Sequence, residues 1–347
     1  MRHTSLVIAL SAALLALATL AQALEVEERG FFPARVDDGS QLRLIGTAEL
    51  RVFAPLIESF QEIHPDIAID YTTASSAEIF RALIREQGPF DLAISSAMDL
   101  QLKLANDGFA HGYSSEETAR LPSWARWRDQ VFGFTSEPAV VVISPQHFEG
   151  LALPRSRHEL VALLREHPER FSGAVGTYDV RESGLGYLFA TQEARNSDTF
   201  WRLAEVFGRL DVRLYCCSGQ MIDDIANGEL AMAYNVLGSY AEQHVDPDSD
   251  LQIIRLGDYR NVMLRTVLIP TTARDPVQAG LFLDHLLRSG NAENFTGPRI
   301  LPPLRDPAMR DTSDFGPIRL GPALLVYLDA LNREAFLETW SNSVEQP

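Results

Sequence analysis

Leu42-Arg43-Leu44-Ile45-Gly46 and Phe90-Asp91-Leu92-Ala93-Ile94 bracket the stretch whose reading decides the fold. Each is a short apolar run with the length and composition of a buried strand. Between them, Leu50, Phe53, Ile57 and Phe60 recur at helical spacing, with Thr47 placed to cap that helix and His64-Pro65 to stop it. Ile67, Ile69 and Tyr71 then alternate as a strand, and Ser75 with Glu78 forms a capping box ahead of a helix through Arg85. Gly88-Pro89 ends that helix. After the Phe90 strand, Ser96 and Asp99 make a second capping box before a helix closed by Gly108. The order is β-α-β-α-β-α, which predicts an α/β fold on a mainly parallel sheet.

The same alternation returns further on. Ala139-Val140-Val141-Val142-Ile143 reads as a continuous buried strand, followed by a helix from Arg157 to Glu166 and a strand at Ala174–Tyr178. Helices are predicted after Ser183-Gly184, at Thr199–Leu210 and at Gln220–Asn227, and Leu230, Met232 and Tyr234 alternate as a strand. Two strand-like runs, Leu251–Leu256 and Val262–Ile269, precede a helix at Pro276–Arg288. A long amphipathic helix at Pro322–Ser341 closes the chain. Between these last two helices, Pro298–Pro317 is rich in Pro, Asp and Arg and reads as an irregular surface wrap.

Upstream of the strands, Arg2 and His3 precede an unbroken apolar run from Leu6 to Leu20, ending at Ala21-Gln22-Ala23. This is the pattern of an export signal cleaved after Ala23, and the run is shorter than the roughly 20 residues a membrane-spanning helix needs. The mature protein is expected in the periplasm, soluble and not inserted in the membrane. Residues 24–40 are acidic and unpatterned and read as an arm. With 47 Asp and Glu against 30 Lys and Arg, the formal net charge is −17. That balance argues against nucleic acid and anionic lipid, while a local pocket can still oppose the global field.

The only cysteines, Cys216 and Cys217, are adjacent. They can lie buried and reduced, close an eight-membered disulfide ring, or bind a soft metal or arsenic. No Gly-x-Ser-x-Gly elbow, P-loop or His-Glu-x-x-His is present, and the histidines are scattered, so no enzyme is indicated. Asp246, Asp248 and Asp250 lack the Gly and Glu of a calcium loop and read as a solvated turn.

In open parallel sheets, ligands bind beyond the carboxyl ends of the strands, where helix N-termini offer unpaired N–H groups and the positive end of the dipole. Several such corners carry small or hydroxylated residues: Thr47-Ala48-Glu49, Ser95-Ser96-Ala97, and Tyr178 through Ser183-Gly184. A fourth strand ends at Tyr234-Asn235. These twelve positions are the candidate ligand contacts once Arg181, a candidate bidentate clamp for an anion, is added. Each corner taken alone is also explained as an ordinary cap.

The export signal, Leu42–Gly46, Thr47-Ala48-Glu49 and Asp91-Leu92-Ala93-Ile94-Ser95-Ser96 together resemble the start of bacterial extracellular solute-binding proteins. Tyr178-Asp179 with Ser183-Gly184-Leu185-Gly186-Tyr187, and Gly228 through Asn235, resemble the second lobe of that family. The similarity runs over roughly residues 40–295. It is nearest to the ferric-ion-binding group, which also resembles a phosphoglycerate transport regulatory protein. The resemblance implies a two-lobed type II periplasmic-binding-protein fold, with crossing strands near Gly133–Val141 and Ile253–Val262 and a ligand cleft between the lobes. On that pattern residues 41–138 and 258–310 form lobe 1, residues 139–257 form lobe 2, and residues 311–347 form a C-terminal helical segment packed on both.

The resemblance further implies a monomer without a cofactor that closes on its ligand and docks on a membrane ABC permease or a sensor kinase. Ferric-binding members use adjacent tyrosines, and no two tyrosines are adjacent here; Glu49, Tyr234 and Tyr240 would be the iron ligands. The departure favours a small anionic solute: a carboxylate, a phosphate ester or a metal–anion complex.

Overall fold

The computed structural model describes residues 24–36, 39–85, 90–244, 250–290, 301–304 and 317–346. The export segment and its cut after Ala23, the Gly88-Pro89 stop, Asp246 and Asp248, and most of the Pro298–Pro317 stretch lie outside the described residues.

The first sheet begins with β1 (Glu28–Phe32), β2 (Ser40–Gly46), β3 (Ile67–Thr73) and β4 (Leu92–Ser95), with helix α1 (Leu50–Ile63) after β2, α2 (Ser76–Ile84) after β3 and α3 (Met98–Asn106) after β4. A short helix α4 (Glu116–Arg120) leads to β5 (Arg126–Trp127) and β6 (Val131–Gly133). β2 pairs in parallel with β3 and with β4. The arm is not unpatterned chain: β1 runs antiparallel to β3 at the sheet edge, and Arg29 clamps Asp70 with bonds of 2.9 and 2.6 Å. All seven residues of β3 are buried, so the alternation read from Ile67, Ile69 and Tyr71 covers only one of its two packed faces.

β7 (Glu137–Ile143) opens the second sheet. α5 (Arg157–Glu166), a one-turn α6 (Pro168–Phe171), β8 (Val175–Tyr178), α7 (Gly184–Asn196), α8 (Thr199–Arg209), β9 (Arg213–Tyr215), α9 (Ser218–Ala226), β10 (Met232–Leu237), α10 (Gly238–His244) and β11 (Gln252–Ile254) follow. Its strand order is β11-β7-β10-β8-β9, with β8, β9 and β10 parallel.

The predicted strand Val262–Ile269 is two strands. β12 (Val262–Met263) pairs with β7 of the second sheet, and β13 (Thr266–Leu268) pairs with β4 and β6 of the first. The chain therefore changes lobe twice, at Phe134–Ser136 and at Leu264–Arg265, and the two passages are tied by Phe134 N–H donating to the Arg265 carbonyl at 3.0 Å.

α11 (Pro276–Ser289) returns to the first lobe, capped by Asp275, whose carboxylate accepts from the N–H groups of Val277 and Gln278. The expected long C-terminal helix is likewise two pieces: a 3-10 turn over Pro322–Leu328 packs on α3, and α12 (Ala330–Val344) packs on α8. Asp329, capping Leu331 and Asn332, marks the break.

Each lobe has its own apolar core. Leu42, Leu44, Phe53, Ile57, Phe60, Ile69, Phe282 and Leu286 fill the space between the first sheet and the α1–α11 layer. Val141, Ile143, Leu160, Leu164, Phe171, Val175, Leu203 and Phe207 do so behind the second. Each such side chain contributes about 1.5–3 kcal/mol on burial.

His285 sits inside the first core with its ring Nε2 2.8 Å from Ser59 Oγ. Burial, reinforced by Arg288, lowers its pKa to about 4. The unfolded chain binds that proton near pH 6.5, so stability is expected to fall as pH drops from about 6.5 toward 4, by roughly 3 kcal/mol in all. Urea midpoints measured across that window check it. His285→Gln removes this part of the slope; an unchanged slope would contradict the assignment.

Candidate ligand-binding cleft

The strand-to-helix corners of both sheets face each other across a cavity of about 80 Å³. From the first lobe come Thr47 and Glu49 between β2 and α1, Ser75 and Ser76 at the start of α2, and Ser96 before α3. From the second come Tyr178 at the end of β8, Ser183 capping α7, Cys216 to Gly219 at the start of α9, and Tyr240 on α10. Arg265, in the second passage between lobes, forms the back wall. These placements follow from the topology, because every parallel strand delivers its carboxyl end and the next helix N-terminus to the same edge.

Arg265 is fully buried. Its Nε donates to Glu137 Oε1 at 2.9 Å, one terminal nitrogen donates to Glu137 Oε2 at 3.1 Å, and the other donates to Thr47 Oγ1 at 3.2 Å. Burial alone would push the Glu137 carboxyl up; Arg265, with Ser239 and Thr135 donating as well, holds it below its ordinary range. A guanidinium has five N–H donors, and three are engaged in these bonds.

Thr47 does not cap α1. Its hydroxyl accepts from the Ser96 N–H at 3.2 Å and from Arg265, and so links two corners of the first sheet to the hinge. Ser96 does not cap α3 either: Ala97 holds that position, and its N–H donates to Ser95 Oγ. Ser75 is a true cap, accepting from Glu78 N–H at 3.2 Å. Tyr178 Oη lies 2.5 Å from Ser218 Oγ, which also accepts from Leu237 N–H. Burial raises the pKa of both cavity phenols, Tyr178 and Tyr240.

Two carboxylates share the wall. Glu49 pairs with Arg51 at 2.7 Å and reaches across to the start of α9, where a Cβ on Gly219 would lie 3.0 Å from Glu49 Oε1. The positive end of that helix favours the contact. Burial, then Glu28, Glu49 and Glu25, push the Glu27 carboxyl above its ordinary range.

The lobes meet in a closed arrangement. Tyr240 Oη donates to the Thr47 carbonyl at 3.4 Å, and Arg51 lies 3.3 Å from His244 Nε2. Gly184 is required by close approach: a Cβ there would lie 2.6 Å from Ser76 Oγ and 2.8 Å from Leu100 Cδ1. Gly184→Val is expected to block closure and weaken ligand binding about tenfold or more, with little loss of unliganded stability. Calorimetric titration beside urea unfolding checks this; unchanged affinity would contradict it.

Of the sequence-derived candidates, Thr47, Glu49, Ser96, Tyr178 and Ser183 line this cavity. Ala48, Ser95, Ala97 and Gly184 stand behind or beside it; the Ala48 carbonyl, for example, accepts from Tyr71 Oη. Arg181 lies outside. It pairs with Asp179 and Glu345 and borders a second cavity of about 370 Å³ between the lobes and the C-terminal segment.

Tyr234 and Asn235 belong to the interior of the second lobe. Tyr234 Oη donates to Glu193, which also binds Arg157 at 2.7 Å, and Arg157 continues to Asp258 at 2.9 Å. Of the three candidate iron ligands, therefore, Glu49 and Tyr240 face the cavity and Tyr234 does not. Among the described residues no group of three or more His, Cys, Asp or Glu side chains is placed to hold a metal ion. Sequence reading missed Arg265, Glu137 and Ser218; an arginine within a strongly apolar run, Val262 to Ile269, was the available signal for the first.

Residues 45–295 match the family model described as bacterial extracellular solute-binding protein. The fold is similar to the substrate binding protein of an ABC transporter from Agrobacterium tumefaciens, with a TM-score of 0.83 and 30% identity over 91% of this chain and 98% of that one. It is also similar to AfuA from Actinobacillus pleuropneumoniae with exogenous fructose-6-phosphate bound (TM-score 0.69, 14% identity, 89% and 99% covered). Iron-bound HitA from Pseudomonas aeruginosa aligns with a TM-score of 0.63 and 15% identity, over 88% and 99% of the chains. No curated protein matches the chain in sequence.

Proposed function

Because the chain belongs to the bacterial extracellular solute-binding protein family, we propose that its interlobe cavity captures a small hydroxylated anion in the periplasm and delivers it to an ABC permease. The phosphate ester or hydroxy-carboxylate is the favoured cargo. The chain is a binding protein rather than an enzyme, as its relatives are. The observation that carries the cargo class is the buried Arg265, held on two sides by Glu137 and Thr47 in the wall of a hydroxyl-lined cavity.

The anionic group is held by Arg265 and by the helix N-termini at Ser75–Ser76, Ser183 and Cys217–Ser218. Glu27 and Glu49, which would repel a bare anion, accept hydrogen bonds from ligand hydroxyls. The cavity is smaller than the 300–1,000 Å³ of drug-sized sites, which favours a small cargo admitted while the lobes are apart. The sugar phosphate bound by AfuA is in keeping with this class. The lobes read from sequence, 41–138 with 258–310 and 139–257, have their borders moved to the passages Phe134–Ser136 and Leu264–Arg265; the C-terminal segment 311–347 as a brace on both and a monomeric state complete the proposal.

One observation favours ferric ion as a second reading: Glu49, Tyr178 and Tyr240 share the cavity wall, and HitA is a fold relative. Against it, among the described residues no group of three or more His, Cys, Asp or Glu side chains is placed to hold a metal ion. Output to a sensor kinase in place of a permease would use the same closed form.

A thermal-shift screen of stripped mature protein separates the readings. The probes are fructose 6-phosphate, 3-phosphoglycerate, glycerol 3-phosphate, malate, citrate, inorganic phosphate and ferric citrate. A ligand at 100 times its Kd adds about 2.7 kcal/mol, a shift of a few degrees. A shift with hydroxylated anions is the expected result. A shift with ferric ion alone would install the iron reading, and no shift with any probe would contradict both.

A further inference from the structure

Resting on the proposed function, we infer that the Cys216–Cys217 disulfide ring is a wall of the ligand cavity that packs against the carbon face of the hydroxylated anion. The two cysteines are bonded to each other. Both line the cavity, in one run with Ser218 and Gly219 at the start of α9.

The rest of the wall is rich in hydroxyls, with Arg265 and the carboxylates of Glu27 and Glu49. A disulfide carries no donor and only weak acceptors, and its sulfurs are polarisable and apolar in character. With Leu185, Leu237 and Ala74, the ring is the part of the wall that offers a ligand no strong hydrogen bond. It therefore selects a ligand with a polar edge and a C–H face, the shape of a hydroxylated phosphate ester, over a bare inorganic anion. The ring also sits directly before Ser218, whose hydroxyl ties Tyr178 to Leu237 N–H, so closing it restrains the corner that presents these groups.

The test is titration calorimetry of oxidised protein and of protein reduced with tris(2-carboxyethyl)phosphine. The probes are fructose 6-phosphate, glycerol 3-phosphate and inorganic phosphate. Reduction breaks the S–S bond and forms two thiols, while the phosphine takes oxygen from water to become its oxide; intact mass rises by about 2 Da per chain. Phosphate esters are expected to bind about tenfold more weakly after reduction, with inorganic phosphate changed by less than about twofold.

The C216S/C217S double variant is expected to show the same pattern without reductant, and thermal unfolding shows whether it is folded. If it is not, reduction of the wild type carries the test. Equal affinities before and after reduction would overturn the inference while leaving the proposed function intact. Equal losses for esters and inorganic phosphate would also overturn it, because the ring would then only hold the corner. Two thiols that label without reduction would remove it outright. Oxidised wild type that binds none of the anions would overturn both this inference and the function on which it rests.

Discussion

Arg265→Met is expected to weaken anion binding by a hundredfold or more and to lower stability by about 3–5 kcal/mol. Both effects come from one side chain. Arg265 is fully buried and lies in the cavity wall, so methionine removes the one cation among the described residues that line it. Glu137, also fully buried, loses the partner that holds its carboxyl ionised. Thr135 and Ser239 still donate to it, which leaves a charge half satisfied in a low-dielectric hinge. Arg265→Lys keeps the charge but cannot reach Glu137 and Thr47 together with a planar fork, and it should fall between wild type and methionine. Titration calorimetry gives the binding loss and urea unfolding the stability loss. Arg265→Met that binds fructose 6-phosphate as well as wild type would show that the guanidinium is structural alone.

The second large effect is expected at Arg157, and it should affect stability alone. Arg157 bridges Glu193 and Asp258, donates to Tyr234 and to the Tyr259 carbonyl, and stacks 3.7 Å from the Tyr259 ring centre. Glu193 is fully buried, and Asn235 and Asn261 also donate to it. Arg157→Ala strands that carboxylate and should cost about 3–5 kcal/mol. The network lies inside the second lobe and none of its members lines the cavity, so the affinity of the folded protein should be unchanged. Urea unfolding and calorimetry on the same preparation check the pair of outcomes. A loss of affinity equal to that of Arg265→Met would mean the two buried pairs act on one site.

The strands and helices around Leu42–Gly108 were legible because apolar period is a local signal, and they place Thr47, Glu49 and Ser96 at the cavity edge; of the caps read there, only Ser75 caps its helix. What was not legible depends on tertiary pairing. β1 is mostly exposed and has no alternation of its own; it exists because β3 offers an unpaired edge and Asp70 binds Arg29. Val262–Ile269 is apolar but for Arg265 and Thr266, and no turn residue within it marks the change of sheet between Met263 and Thr266.

The strand read as ending at Tyr234-Asn235 runs on to Leu237, so this pair sits mid-strand at a register shift, and Tyr234 turns into the lobe to meet Glu193. Arg181 sits in the expected corner, but Asp179 two residues earlier and Glu345 of the C-terminal segment take its guanidinium. Competition from partners distant in sequence decided both positions. The adjacent cysteines left three states open from sequence, and only the fold sets the bonded pair beside the cavity.

Hydrogen exchange read by mass spectrometry, with and without the anion giving the largest thermal shift, addresses the interlobe site most directly. The expected result is protection on both sides of the cavity at once: residues 47–53 and 95–98 of the first lobe, and 216–222 and 237–241 of the second. Protection confined to one lobe, or gathered around the cavity bordered by Arg81, Lys103, Arg181 and Arg333, would contradict capture between Arg265 and the hydroxyl corners.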